Sequence, residues 1–157
     1  MSLGPVLAAP GEENNFQNAY IERVLASYFR ITGNMPIVDG PAGQSVWSGD
    51  FALLTHRGGP EARLNYGNRF ALDLWECNWD QFTATPSNAT APEEGRAARE
   101  EMMQRVMQNG FVTGYSGHRV TRTGRLFLIE DVTIWRLLDE SGISFGVGAF
   151  FRQYRYL

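Results

Sequence analysis

The chain has 157 residues and a formal net charge of −3, and every one of its fourteen cationic side chains is an arginine. With no lysine there is no Schiff-base chemistry, no Walker-loop lysine and no kinase strand lysine. Near-balanced charge leaves no basic field for nucleic acid, 13% aromatic residues exclude a disordered chain, and no apolar run reaches the ~18 residues of a membrane span.

Residues 1–13 read as a flexible leader with neither the basic start nor the apolar length of a secretory signal. A single domain over 14–157 in a soluble, cytoplasmic protein is predicted. A first helix spans 14–33, begun by Asn14 or Asn15 and stopped by Gly33, with Ile21, Val24, Leu25 and Tyr28 as its apolar stripe and Phe16 and Ile31 extending it. Residues 33–50, with Pro36, Gly40, Pro41 and Gly43, read as a loop. Strands follow at Phe51–Thr55 and Arg63–Tyr66 around the turn Gly58-Gly59-Pro60.

Asn68 is placed to cap a short helix, and Asn78 with Gln81 has the spacing of a capping box. Thr90 and Glu93 repeat that spacing before a helix that ends at Asn109-Gly110, with Ala98, Met102, Met103, Val106 and Met107 on its apolar side. Three hairpin-linked strands complete the chain at Gly114–Thr121, Arg125–Leu138 and Ser144–Phe151. In the last, Phe145, Val147, Ala149 and Phe151 alternate with Gly146 and Gly148, giving one bulky face and one stripped face. The predicted fold is α+β, a five-stranded antiparallel sheet with helices on one face.

LNYGNRFALDLWECNWDQF at 64–82 resembles the PAS pattern of a strand that ends before an asparagine capping a helix. GYSGHRVTRTGRLFLIEDVTIWRLLDESG at 114–142 resembles the PAS strand, glycine turn, long strand and closing turn. Together these blocks are similar to the MEKHLA domain, a PAS-related family of small stand-alone bacterial proteins and plant regulators. The plant namesake stretch contains lysine, so its role does not carry over. The resemblance implies a sensory or ligand-binding fold with a pocket between concave sheet and helices, and an N-terminal helix that covers the outer face or mediates a homodimer. It implies no reaction.

On that layout the candidate ligand-binding side chains are Tyr66, Trp75, Trp79, Phe82, Met103, His118, Phe127, Glu130 and Trp135. Strand alternation puts Ser116, His118 and Val120 on one face, the pocket side, while His56 reads as an exposed turn residue. Of adjacent Glu130 and Asp131, alternation sends one inward unless a bulge intervenes, to pair with Arg119 or Arg125 or to hook a guest. Arg119, Arg122 and Arg125 surround one hairpin, where their guanidinium groups would hold those carboxylates or an anionic guest.

No catalytic constellation, haem motif or metal-ligand spacing is present, since His56, His118 and Cys77 stand alone. The run Glu76-Cys77-Asn78-Trp79 departs from the Asn-Cys-Arg-Phe-Leu-Gln of flavin-adduct PAS domains, so Cys77 reads as a structural thiol and the cofactor stays open. The expected function is a non-catalytic sensory module for a small, largely apolar molecule or a protein partner. The alternative is a small enzyme on a cone-shaped fold like that of nuclear transport factors, with Glu130 or Asp131 as base and His118 as its partner.

Overall fold

The apolar stripe Ile21, Val24, Leu25 and Tyr28 is the buried side of helix α1 (Asn18–Thr32), which stops at Gly33 in the left-handed conformation that a helix end favours. In the computed structural model, which describes residues 3–35 and 39–157, α1 starts later than predicted. Asn15, Phe16 and Gln17 all have φ between 53° and 56°, so a left-handed turn precedes the helix. Such backbone costs about 1–2 kcal/mol per residue. Helix α2 (Ala42–Trp47) clamps it: the Gly43 amide donates to Asn18 Oδ1 at 2.7 Å, and a Cβ on Gly43 would lie 2.7 Å from the Phe16 carbonyl oxygen.

Helix α2 occupies part of the segment read as loop, and its buried Val46 is the reason it forms there. Met1, Ser2 and the predicted breaker Pro36 lie outside the described residues. The flexible leader is also corrected, because residues 4–7 are tied down. Gly4 exchanges bonds with Arg57, whose carbonyl accepts its amide at 2.7 Å and whose Nε donates back at 2.9 Å. Asn65 Nδ2 donates to the Pro5 carbonyl, and Trp79 Nε1 to that of Leu7.

The sheet is antiparallel and runs β2 (Leu64–Gly67), β1 (Ala52–His56), β5 (Ser144–Phe151), β4 (Leu126–Leu138), β3 (Phe111–Val120). A sixth strand, β6 (Gln153–Tyr156), was not predicted; it continues β5 past Arg152 in one register against β4, with Thr133 opposite Phe150 and Glu130 opposite Gln153. Helices α3 (Arg69–Leu74), α4 (Trp79–Thr83) and α5 (Arg96–Asn109) supply the inner layer, while α1 lies on the outer face.

Asn68 and Asn78 cap α3 and α4 as their spacing predicts. The box expected at Thr90 and Glu93 does not form, because the Thr90 hydroxyl donates to the Ser87 carbonyl at 2.7 Å and two short 3-10 turns intervene before α5.

One bulge decides which residues face which layer. Tyr115 pairs with Val132 but Gly117 with Ile129, so β4 carries an extra residue at Glu130–Asp131, where Asp131 has φ 53°. Before it Phe127 and Ile129 face the inner core; after it Val132 and Ile134 do, while Trp135 and Leu137 join Phe51, Leu53 and Tyr66 beneath α1. Gly146, at φ 140°, reverses β5 likewise, so Phe145 faces α1 and Val147 the inner core rather than sharing a face.

Candidate functional site

The inner face of the sheet and the helical layer enclose a cavity of about 50 Å³. Leu54, Ile129, Val132, Ile134, Val147 and Ala149 form its sheet wall, and Trp75, Met102 and Met103 close it from the helical side. Six polar residues interrupt this apolar lining: Thr55, whose hydroxyl is engaged by Tyr20 and Asn65, and His56, Ser87, Thr90, Arg99 and Arg119. An outer recess of about 270 Å³ adjoins it, sharing His56, Arg99, Met103 and Val147, and runs along Gly58-Gly59-Pro60 to Met107.

Local sequence explains how the two arginines arrive. Arg99, Met102, Met103 and Val106 follow the helical i, i+3, i+4, i+7 rule on α5, so Arg99 heads the stripe that faces the sheet. On β3 the register sends Tyr115, Gly117 and Arg119 inward. The missing side chain at Gly117 makes room, since a Cβ there would collide with the Tyr115 hydroxyl and lie 3.0 Å from Arg119 Nη1. Arg119 is 5% exposed, lies 5.6 Å from the Tyr115 ring centre and donates Nη1 to the His118 carbonyl at 2.7 Å. Arg99 donates to the Ser87 hydroxyl. Among the described residues neither guanidinium is paired with a carboxylate.

Burial, and after it the like charge of Arg119, lower the pKa of Arg99 to about 10. Burial first, and then Arg99, push His56 down to about 4, so its imidazole is neutral at pH 7. Its Nδ1 accepts the Gly58 amide at 3.1 Å. The indole Nε1 of Trp75, buried in the cavity wall, has no partner among the described residues.

The predicted site residues separate into three groups. Trp75 and Met103 line this cavity, Phe82 lines a neighbouring one beside Cys77, and Phe127 packs in the inner core against Trp75 with ring centres 5.2 Å apart. Tyr66 and Trp135 belong to the outer core instead, with Trp135 edge-on to Tyr28 at 4.8 Å, and Trp79 touches both cores. His118 is exposed on the outer side, which reverses the predicted face of β3.

Glu130 pairs with Arg155 at 3.3 Å, not with Arg119 or Arg125, because the bulge turns it and Asp131 away from the inner core. Arg125 stacks instead on the Tyr156 ring at 3.6 Å, and Arg122 is exposed. His56, read as an exposed turn residue, ends β1 at 8% exposure because Val147 and Leu64 flank it on both sides. Arg99, Ser87 and Thr90 were not among the expected site residues; the arginine at the head of an apolar stripe was the available signal for the first.

The sequence profile of the MEKHLA domain matches residues 18–156. The chain is a member of the MEKHLA domain family. No curated protein sequence matches it. Among solved structures, a PAS domain from Colwellia psychrerythraea superposes on this MEKHLA domain with TM-score 0.59 at 16% identity, covering 73% of this chain and 92% of that one. A light-oxygen-voltage domain studied with a flavin analogue gives 0.59 at 12% identity over 76% and 86%. A variant of the fungal photoreceptor VVD gives 0.58 at 16% identity over 83% and 91%. At these identities the likeness is one of fold, and the MEKHLA domain has the PAS-like α+β architecture predicted for it.

Flavin does not fit the inner cavity as it stands. Sites that bury drug-sized molecules run to roughly 300–1,000 Å³, against about 50 Å³ here, so the cavity suits only a guest much smaller than flavin. The half-buried Cys77 lines the separate cavity beside Phe82, its thiol pKa raised by burial. No helix of the described residues is long and apolar enough to cross a membrane.

Proposed function

We propose that this MEKHLA domain is a non-catalytic sensory module that takes a small molecule between sheet and helices and signals its occupancy by contact with a partner. The observation that carries the reading is the cavity itself: an apolar chamber on the inner face of a PAS-like sheet, with a few convergent polar groups whose hydrogen-bonding capacity is largely unused. The light-oxygen-voltage neighbours, one studied with a flavin analogue, support a ligand in this layer.

Catalysis by a carboxylate and histidine is disfavoured by placement. His118 is exposed on the outer side of β3, Glu130 is engaged by Arg155, and the buried His56 meets no Asp or Glu in the inner cavity and only Glu61, engaged by Arg63, and the exposed Glu100 along the outer recess. The partner is a second copy or another protein, and Phe29, 53% exposed on α1, is a contact that such a partner would cover. We place the module in the cytoplasm.

Native mass spectrometry with an absorption spectrum of freshly purified protein tests the reading. A retained small molecule, or a thermal shift on screening small metabolites, supports it. A clean apo mass with no shift from any of them overturns it in favour of a pure interaction domain.

A further inference from the structure

We propose that the guest of the inner cavity is a small organic anion, a monocarboxylate with a short apolar tail, whose head group is held between Arg99 and Arg119. This rests on the reading of the cavity as a ligand site and names the ligand class.

The argument begins with charge. Two guanidinium groups line one small cavity whose lining contains no Asp or Glu, and neither forms an ion pair among the described residues. The remaining titratable side chain in the wall, His56, adds no compensating negative charge. On the recess side, Glu100 lies on the exposed surface of α5, and Glu61 is engaged by Arg63 at 3.0 Å. A cation taken out of water without a counter-ion is penalised by its lost hydration, fully for Arg119 and in part for the half-buried Arg99. A guest bearing one negative charge removes much of that penalty for both arginines at once.

Geometry narrows the guest further. Arg119 spends one N–H on the His118 carbonyl and Arg99 one on Ser87, so most donors of both forks remain unused. A planar carboxylate matches such a fork with two parallel bonds. The part of the lining made by Val132, Ile134, Val147 and Ala149 offers no hydrogen-bonding side chain and suits a short alkyl or aryl group. The enclosed volume limits the length of that tail. Met102 and Met103, unbranched and polarizable, are the part of the wall that adjusts to it.

The test is a titration of the full chain with butyrate, hexanoate and benzoate against 1-hexanol as neutral analogue, followed by thermal shift and by methyl NMR of 13C-methionine protein. Met102 and Met103 report on the cavity, while Met35, exposed and outside its lining, is the internal control. At least one carboxylate should raise Tm and move the Met102 and Met103 methyls selectively, with 1-hexanol at least tenfold weaker. Arg119→Gln and Arg99→Gln should each weaken carboxylate binding tenfold or more while Arg119→Lys weakens it less, with circular dichroism confirming a native fold. Equal binding of 1-hexanol, unaffected by either arginine variant, overturns the anion assignment and leaves the cavity as a ligand site. Absence of any methyl shift with all four probes, in protein of native Tm, overturns the assignment too. A metabolite found by native mass spectrometry that is uncharged then separates its failure from that of the sensory reading.

Discussion

Replacing Asn68 by alanine removes four hydrogen bonds made by one fully buried side chain. Its Oδ1 accepts the amides of Leu53 and Ala71, both at 3.1 Å, and its Nδ2 donates to the carbonyls of Val46 at 2.9 Å and Phe51 at 2.7 Å. The side chain therefore joins α2, β1 and α3. The Val46 carbonyl keeps a bond from the Gly49 amide at 3.2 Å, but the two amides are left unpaired inside.

Each orphaned group costs about 1–3 kcal/mol, so Asn68→Ala should destabilise by about 3–5 kcal/mol. That is a large share of the roughly 5–15 kcal/mol of a typical domain, and it lowers Tm by about 10 °C at this size. Urea unfolding followed by tryptophan fluorescence measures it. Asn68→Asp keeps the acceptor and thus the α3 cap, yet presents a carboxylate oxygen to two carbonyls, and should fail comparably. A loss no larger than the ~1 kcal/mol of an ordinary helix cap, or full rescue by aspartate, would refute the argument that this residue is a junction rather than a cap.

His56 gives the protein an acid sensitivity of predictable sign. Its folded pKa of about 4 lies below the ordinary 6.5, so the unfolded chain binds the extra proton first and stability falls as pH drops from about 6.5 towards 4. The loss approaches about 3 kcal/mol, and His56→Gln should flatten this part of the urea-midpoint profile. Gly146→Ala should cost about 2–4 kcal/mol, because the added Cβ meets the His56 carbonyl oxygen at φ 140°; an unchanged midpoint counts against the face reversal there. Trp135→Ala should cost about 3–5 kcal/mol and raise amide exchange in α1 well before α5, whereas equal exchange in both helices would argue against two separate cores.

What the sequence disclosed were local signals. The asparagine caps at Asn68 and Asn78, the stripe on α1 and the strand runs each depend on neighbours a few residues away, and they stand where periodicity puts them. Faces were less legible. Alternation is valid only between bulges, and the extra residue at Glu130–Asp131 moved Trp135 to the outer core and kept both carboxylates off the inner one. Helix α2 is held by a bond to Asn18 and by close packing on the left-handed turn at 15–17, and β6 by pairing with β4, which a reading of their own few residues does not reveal. Arg119 was legible as a holder of an anionic guest, but Arg99 hid for a related reason: a charge on an apolar stripe looks like a helix edge until the sheet above it is in place.

The polar contacts beneath α1 fix that helix on the outer face of the sheet. Ser27 Oγ donates to the Arg136 carbonyl at 3.2 Å and accepts the Leu138 amide at 2.9 Å, where the β4–β5 register slips. Apolar side chains alone would let the helix slide in any direction. Lifting it at Ser27 strands two backbone groups together, at about 1–3 kcal/mol each, and α1 is tied on either side of that point as well, by Tyr20 to the Thr55 hydroxyl at 2.8 Å and by Arg30 to the Leu138 carbonyl at 2.6 Å. The sheet thus carries the cavity on one surface and, on the other, a helix registered at Tyr20, Ser27 and Arg30, so that α1 can neither slide nor tilt without breaking a polar bond.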